Sequence, residues 1–238
     1  MGFKPEKIMQ FLRNNLSDKP AIIGISSGID SALVLMLISK AIEKEKVHAY
    51  FIPDSGTPGS DYEDIAKLEK SSGIQIQTIH MDNVYNSMVD LLPKGRNMDY
   101  GNLKSRIRMS ILYFQANVHG GLVIGTTNLS EFLTGYFTKF GDGACDLEPI
   151  INLTKSEVWN MAEIMGVPES IIRKPPSAGL WEGQRDEDEL GLSYREIDNA
   201  VSEFRKNGRF PDTPAGEKIR ELYNRSDHKR RLPLALED

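Results

Sequence analysis

The chain has 238 residues, 39% hydrophobic and 26% charged, with a formal net charge of −5 at pH 7. This is the composition of a globular protein, and its negative balance argues against nucleic acid as the main partner. No apolar run approaches the ~20 residues a bilayer span needs. The single cysteine, Cys145, excludes an intrachain disulfide and a cysteine metal cluster. Met1-Gly-Phe-Lys-Pro-Glu has no signal-peptide pattern. One domain over residues 1–238, in the cytoplasm and away from membranes, is therefore expected.

The first helical pattern falls at 6–15. Ala21 to Ser26 is then a short β-branched run, read as a buried strand. Residues 31–44 are apolar nearly all round and predict a buried helix. Between them lies the small-residue loop Ser26-Ser27-Gly28-Ile29-Asp30-Ser31. A strand, a loop of small residues and a helix start form an anion site, because free amides and the helix dipole converge there. The loop lacks the Lys-Ser/Thr of a Walker A motif and the G-x-G-x-x-G of dinucleotide folds.

Further strands are expected at 47–53, 74–80 and 122–125, and helices at 60–72, 83–91 and 100–119. Strands separated by helix-length segments predict βαβ units and a parallel sheet, doubly wound with helices on both faces. Ligands in such sheets sit at the carboxyl ends of the strands. The loops at Ser26, at Asp54-Ser-Gly-Thr-Pro-Gly59 and at Thr126-Thr-Asn-Leu-Ser-Glu131 lie there.

Asp30 either complements the helix dipole or holds Mg²⁺ against phosphate, with Glu131 as a second carboxylate. Lys104 and Arg108 share one helical face and Arg106 projects from another. Beyond Gly135 the helical patterns are at 155–165 and 194–206. The intervening Gly- and Pro-rich stretches, 138–146 and 174–191, are long for connectors and are candidate lids. The basic run Arg225-Ser-Asp-His-Lys-Arg-Arg231 is read first as a solvated segment.

The loop at 26–31 resembles the S-G-G-x-D-S loop of the N-type ATP pyrophosphatase superfamily, with Ser27 standing where a Gly is usual. A Cβ there makes positive φ costly. Downstream come Ser-Arg-Ile-Arg-Met at 105–109, Gly-Thr-Thr-Asn-Leu-Ser-Glu at 125–131 and Gly-Tyr-Phe-Thr-Lys-Phe-Gly-Asp-Gly at 135–143. Lys-Pro-Pro-Ser-Ala-Gly-Leu at 174–180 and Gly-Gln-Arg-Asp-Glu-Asp-Glu-Leu-Gly at 183–191 follow in order. As a set these motifs resemble the ammonia-dependent NAD synthetase family from about Gly24 to Asp198.

The resemblance implies an adenine nucleotide alpha hydrolase-like fold and a homodimer. It also implies conversion of deamido-NAD, ATP and ammonia into NAD, AMP and pyrophosphate through an acyl adenylate. By position, Gly24, Ile25, Ser26, Ser27, Gly28, Ile29, Asp30, Ser31, Thr126, Lys155 and Ser177 are expected to bind ATP. Asp30 and Glu131 are expected to hold Mg²⁺. Arg106, Lys139, Asp146, His228 and Lys229 are expected to meet deamido-NAD. Lys155 is expected to neutralise developing charge, and Asp142 or Asp146 either takes the proton of ammonium or binds the cation. Two other readings are another ATP pyrophosphatase, acting on tRNA or a purine nucleotide, and a nucleotide sensor without turnover. The acidic balance and single Cys weigh against a tRNA enzyme. A glutamine amidase site commonly needs its own nucleophilic Cys, so free ammonia is the expected nitrogen donor.

Overall fold

The computed structural model describes residues 4–181 and 183–236. Met1 to Phe3, where a leader was sought, Glu182 of the 174–191 stretch, and the last two residues lie outside the described residues.

Four parallel strands form the sheet: β1 (Ala21–Ile25), β2 (Val47–Phe51), β3 (Ile76–Thr78) and β4 (Leu122–Ile124), in the order β3-β2-β1-β4. Each is shorter than the apolar run that predicted it, because the flanking residues turn into the loops above the sheet. The expected 74–80 strand loses most, pairing over only three residues, Ala49 with Ile76 to Phe51 with Thr78.

Side-chain alternation divides the sheet into two faces. Ala21, Ile23, Ile25, Ala49 and Phe51 point to one. There they meet α1 (Pro5–Leu16), α2 (Ile29–Ala41), α3 (Gly59–Ser72) and α7 (Lys155–Met165). Ile22, Tyr50 and Val123 point to the other, against α4 (Asp82–Leu91) and α5 (Asn97–His119). Helices thus cover both faces, as the βαβ reading requires.

The all-round apolar character of α2 is explained by its neighbours. It lies on β1 and packs against α1, α3 and α7, so ten of its thirteen residues are buried. Gly24 lets α5 approach β1, since a Cβ there would lie 2.9 Å from Leu112 Cδ1.

After β4 the chain builds a second hydrophobic cluster from α6 (Leu129–Thr134), α9 (Asp186–Leu190), α10 (Tyr194–Asn207) and α11 (Pro214–Arg225). The short α8 (Glu169–Ile172) follows α7. Neither α8, α9 nor α11 was expected. α11 carries only two buried residues, Gly216 and Ile219, among many charges, so its apolar signal is thin. The C-terminal basic run is not a freely solvated segment as first read. Lys229 Nζ donates to Gly135 O at 2.8 Å and Phe137 O at 2.6 Å, and Arg230 reaches Phe132 O at 3.2 Å.

Candidate active site

The chain winds from β1 outward through β2 and β3, then crosses back to place β4 on the other side of β1. The crevice beyond the carboxyl ends of β1 and β4 is therefore the switch point where ligands bind in such sheets. On its β1 side, α2 starts at Ile29, two residues earlier than expected, with Gly28 as N-cap and no side-chain cap. Its first amides are thus left for an anion. Ser31 Oγ stiffens the loop, accepting from Ser26 N at 3.2 Å and donating to Gly28 O at 3.1 Å. Ser27 takes a left-handed φ of 63° and is buried.

On the β4 side, Asn128 caps α6. Its Oδ1 accepts from Glu131 N at 3.0 Å, and Glu131 Oε2 accepts from Asn128 N at 3.2 Å. Asn128 Nδ2 also donates to Asp30 Oδ1 at 2.8 Å, fastening the two helix starts together. Between them stands Lys155, the first residue of α7, 2% exposed. Its Nζ lies 2.6 Å from Asp30 Oδ2 and 3.0 Å from Glu131 Oε1. Ser130 and Asp198 set its backbone: Ser130 Oγ accepts from Lys155 N at 3.1 Å and donates to Asp198 Oδ1 at 2.5 Å. Asp198 Oδ2 accepts from Ser156 N at 2.7 Å.

Burial works against the Lys155 charge, but Asp30 and Glu131 outweigh it and hold the ammonium above the ordinary lysine range. Burial also pushes the Glu131 carboxyl up, against the pull of Lys155. The centre is thus one ammonium held between two acidic side chains. Two carboxylate oxygens converging on one cation are the donor set that Mg²⁺ prefers alongside phosphate and water, so Asp30 and Glu131 fit that ion.

A second grouping gathers the basic residues. Arg106 is exposed on α5 and its Nη2 donates to Lys139 O at 3.4 Å. Lys139 Nζ donates to His228 O at 2.6 Å. With Lys229 on Gly135 O and Phe137 O, segments more than 120 residues apart in sequence become one basic patch. A cavity of about 120 Å³, lined by Thr127, Phe132, Phe137, Gly143, Glu148, Ile151 and Lys229, lies between this patch and the strand end at Thr126.

Other expected site residues are placed differently. Asp142 accepts from Ser105 Oγ at 2.5 Å and Thr138 N at 3.1 Å, closing the turn after Thr138. Asp146 accepts from Val123 N at 2.7 Å, where residues 146–147 pair along the outer edge of β4. Thr126 is half-buried at the β4 end. Ser177 is exposed and accepts from Gly179 N at 3.1 Å within the 174–191 stretch. Lys104 and Arg108 share a face as expected and both meet Asp54, at 2.8 and 3.9 Å.

Two residues at the site, Asp198 and Glu148, escaped the sequence reading, whereas the amide of Asn128 was read as suited to nucleotide or to helix capping and caps α6. Asp198 looks like an ordinary helix residue in the sequence, yet with Asn128 it holds the site together. Glu148 accepts from Thr127 N at 3.2 Å, and burial raises its carboxyl to about 7. Burial beside Glu148 and Asp146 also pushes the Cys145 thiol up, away from the reactive thiolate.

The sequence profile of the family described as NAD synthase matches residues 5–233. The chain belongs to the NAD synthase family. Membership makes it an enzyme of the ligase class. It is 50% identical over 233 residues to the NH(3)-dependent NAD(+) synthetase of Picrophilus torridus, covering 97% of this chain and 93% of that one. Its identity to the Pyrococcus horikoshii NH(3)-dependent NAD(+) synthetase is 45%, covering 96% and 92%. Among solved structures, NMN synthetase from Francisella tularensis superposes with a TM-score of 0.86 at 37% identity, over 98% of this chain and 99% of that one. The NH3-dependent NAD synthetase of Campylobacter jejuni gives 0.84 at 28% identity, over 98% and 97%.

Proposed function

We propose that this member of the NAD synthase family amidates deamido-NAD with ammonia, consuming ATP and releasing AMP and pyrophosphate through an acyl adenylate. It acts as a single domain, as a homodimer and in the cytoplasm. The observation that carries the reading is the Asp30–Lys155–Glu131 centre beside an uncapped helix N-terminus at the switch point.

The roles follow from charge and position. The 24–31 loop receives the phosphates, with Thr126 and Ser177 toward the nucleoside. Arg106, Lys139, His228 and Lys229 attract the dinucleotide's pyrophosphate and carboxylate. The 120 Å³ cavity takes the carboxylate-bearing ring between them. Attack by a carboxylate on the α-phosphorus brings like charges together, and the fixed ammonium of Lys155 offsets that repulsion. Mg²⁺ held by Asp30 and Glu131 would supply further neutralisation of the departing pyrophosphate. An acyl adenylate hydrolyses easily, so the stretches at 138–146 and 174–191 exclude water. Asp142 and Asp146, fixed by N–H and O–H donors, attract ammonium toward the acyl carbon.

The likeness to an NMN synthetase supports one second reading, in which the acid substrate is a mononucleotide. An assay with ATP, Mg²⁺ and ammonium, with products identified by mass, separates the two. Deamido-NAD should give equal amounts of NAD, AMP and pyrophosphate. Formation of ADP places cleavage at the wrong phosphorus and defeats the proposal. Faster amidation of nicotinate mononucleotide than of deamido-NAD selects the second reading.

A further inference from the structure

Ser27 is the one phosphate-loop residue in a conformation its own side chain disfavours. Its φ of 63° is left-handed, where a glycine rests freely and a Cβ is crowded. The residue is 1% exposed. Backbone strain of this kind persists only where surrounding contacts over-determine it, and here the contact is specific: Ser27 Oγ accepts from Lys174 Nζ at 2.9 Å. The same ammonium lies 2.6 Å from Asp61 Oδ1 and 3.6 Å from Asp64 Oδ2. Those carboxylates stand one turn apart at the start of α3, and Asp64 is itself held by Ser170 Oγ at 2.6 Å and Lys67 Nζ at 3.4 Å.

One cation therefore joins three segments at the carboxyl edge of the sheet: the loop after β1, the helix after β2, and the entrance to the 174–191 stretch. Its anchor, Ser27, immediately precedes Gly28, the uncapped N-cap of α2. An anion drawn to the first amides of α2 arrives beside this ammonium. Lysine is a compact charge on a flexible stem, suited to turning from carboxylates to phosphate.

We propose that Lys174 is a further phosphate-binding cation of the ATP site, and that Ser27, in the place of a loop glycine, is the positioning residue that holds it there. The inference rests on the ATP-consuming reading above. When the triphosphate binds, Lys174 exchanges Asp61 for phosphate oxygen.

Steady-state constants of the full chain, with melting temperatures, test this in Lys174→Met, Lys174→Arg and Ser27→Gly. Loss of a charge-assisted bond predicts a rise of about tenfold or more in KM for ATP and in the pyrophosphate inhibition constant of Lys174→Met. KM for the dinucleotide should stay unchanged, and Lys174→Arg should recover most of the loss. Ser27→Gly should move the ATP constants in the same direction by less, although its backbone is relieved and its melting temperature does not fall. If Lys174→Met and Ser27→Gly alter only melting temperature while the wild type turns over normally, the contact is a structural tether and this inference alone is overturned. A wild type that binds neither ATP nor pyrophosphate removes both this inference and the proposed function.

Discussion

The buried centre at Asp30, Lys155 and Glu131 and the exposed patch at Arg106, Lys139 and His228 treat charge in opposite ways. In the centre, cation and carboxylates meet directly, at 2.6 and 3.0 Å, with side chains 3–16% exposed. In the patch the cations are met by neutral carbonyl oxygens: Arg106 by Lys139 O, Lys139 by His228 O and Lys229 by Gly135 O. Carbonyls fix the geometry of a cation without cancelling its charge. The patch thus keeps a positive field for an anionic partner, whereas the centre is balanced internally and responds strongly when one member changes. A chain of net charge −5 keeps a positive surface here because carbonyls rather than carboxylates hold the cations.

The sharpest way to break this comparison is to unbalance the centre. Lys155→Met leaves two carboxylates buried without their cation, so it should cost about 3–5 kcal/mol of stability and abolish turnover. Asp30→Asn and Glu131→Gln should nearly abolish turnover with the fold retained. Denaturant titration beside a product assay measures both effects, and turnover surviving in Asp30→Asn would return that residue to a helix-dipole role worth about 1 kcal/mol or less.

In the patch, Arg106→Ala should raise KM for the dinucleotide about tenfold, as loss of a charged contact does, with KM for ATP little changed and no loss of stability. Equal effects on the two substrates would erase the distinction between the regions.

Glu148, at the boundary of the two, offers a pH test. Its carboxyl is raised from the ordinary value of 4.5 to about 7, so the folded state holds its proton more tightly than the unfolded chain does. Its contribution to stability is complete below about pH 4.5 and is lost as pH rises through about 7. Glu148→Gln should flatten the decline across that window and be the more stable protein at pH 8. Melting curves from pH 4 to 8 that run parallel for the two proteins would remove the assignment.

The smallest effect is expected at Cys145. With its thiol held away from the thiolate form, it should resist alkylation, and Cys145→Ala should keep a substantial ammonia-dependent rate. Loss of all activity without unfolding, or efficient use of glutamine by the purified chain, would show that the thiol takes part in nitrogen delivery.

The sequence by itself determined the features that depend on neighbours a few residues apart. Alternating apolar runs and helical periods set a parallel sheet with helices on both faces, and small residues between Ile25 and Ala32 set a tight strand–loop–helix junction. The motif order from Gly24 to Asp198 set the family. Tertiary structure alone decided how these pieces meet. The ammonium of Lys155 reaches Asp30 across 125 residues, and Lys174 reaches Ser27 across 147. His228 joins Lys139 across 89 residues, through a backbone carbonyl that no side-chain pattern announces. α11 was missed because its apolar face is narrow and exists only against α6 and α10. Asp142 and Asp146, expected from the resemblance to meet ammonium, also accept from the backbone amides of Thr138 and Val123, which only the fold brings to them. Periodicity and capping are short-range properties written into consecutive residues. The pairing of a buried charge is decided by which elements pack together, and packing is a property of the whole chain.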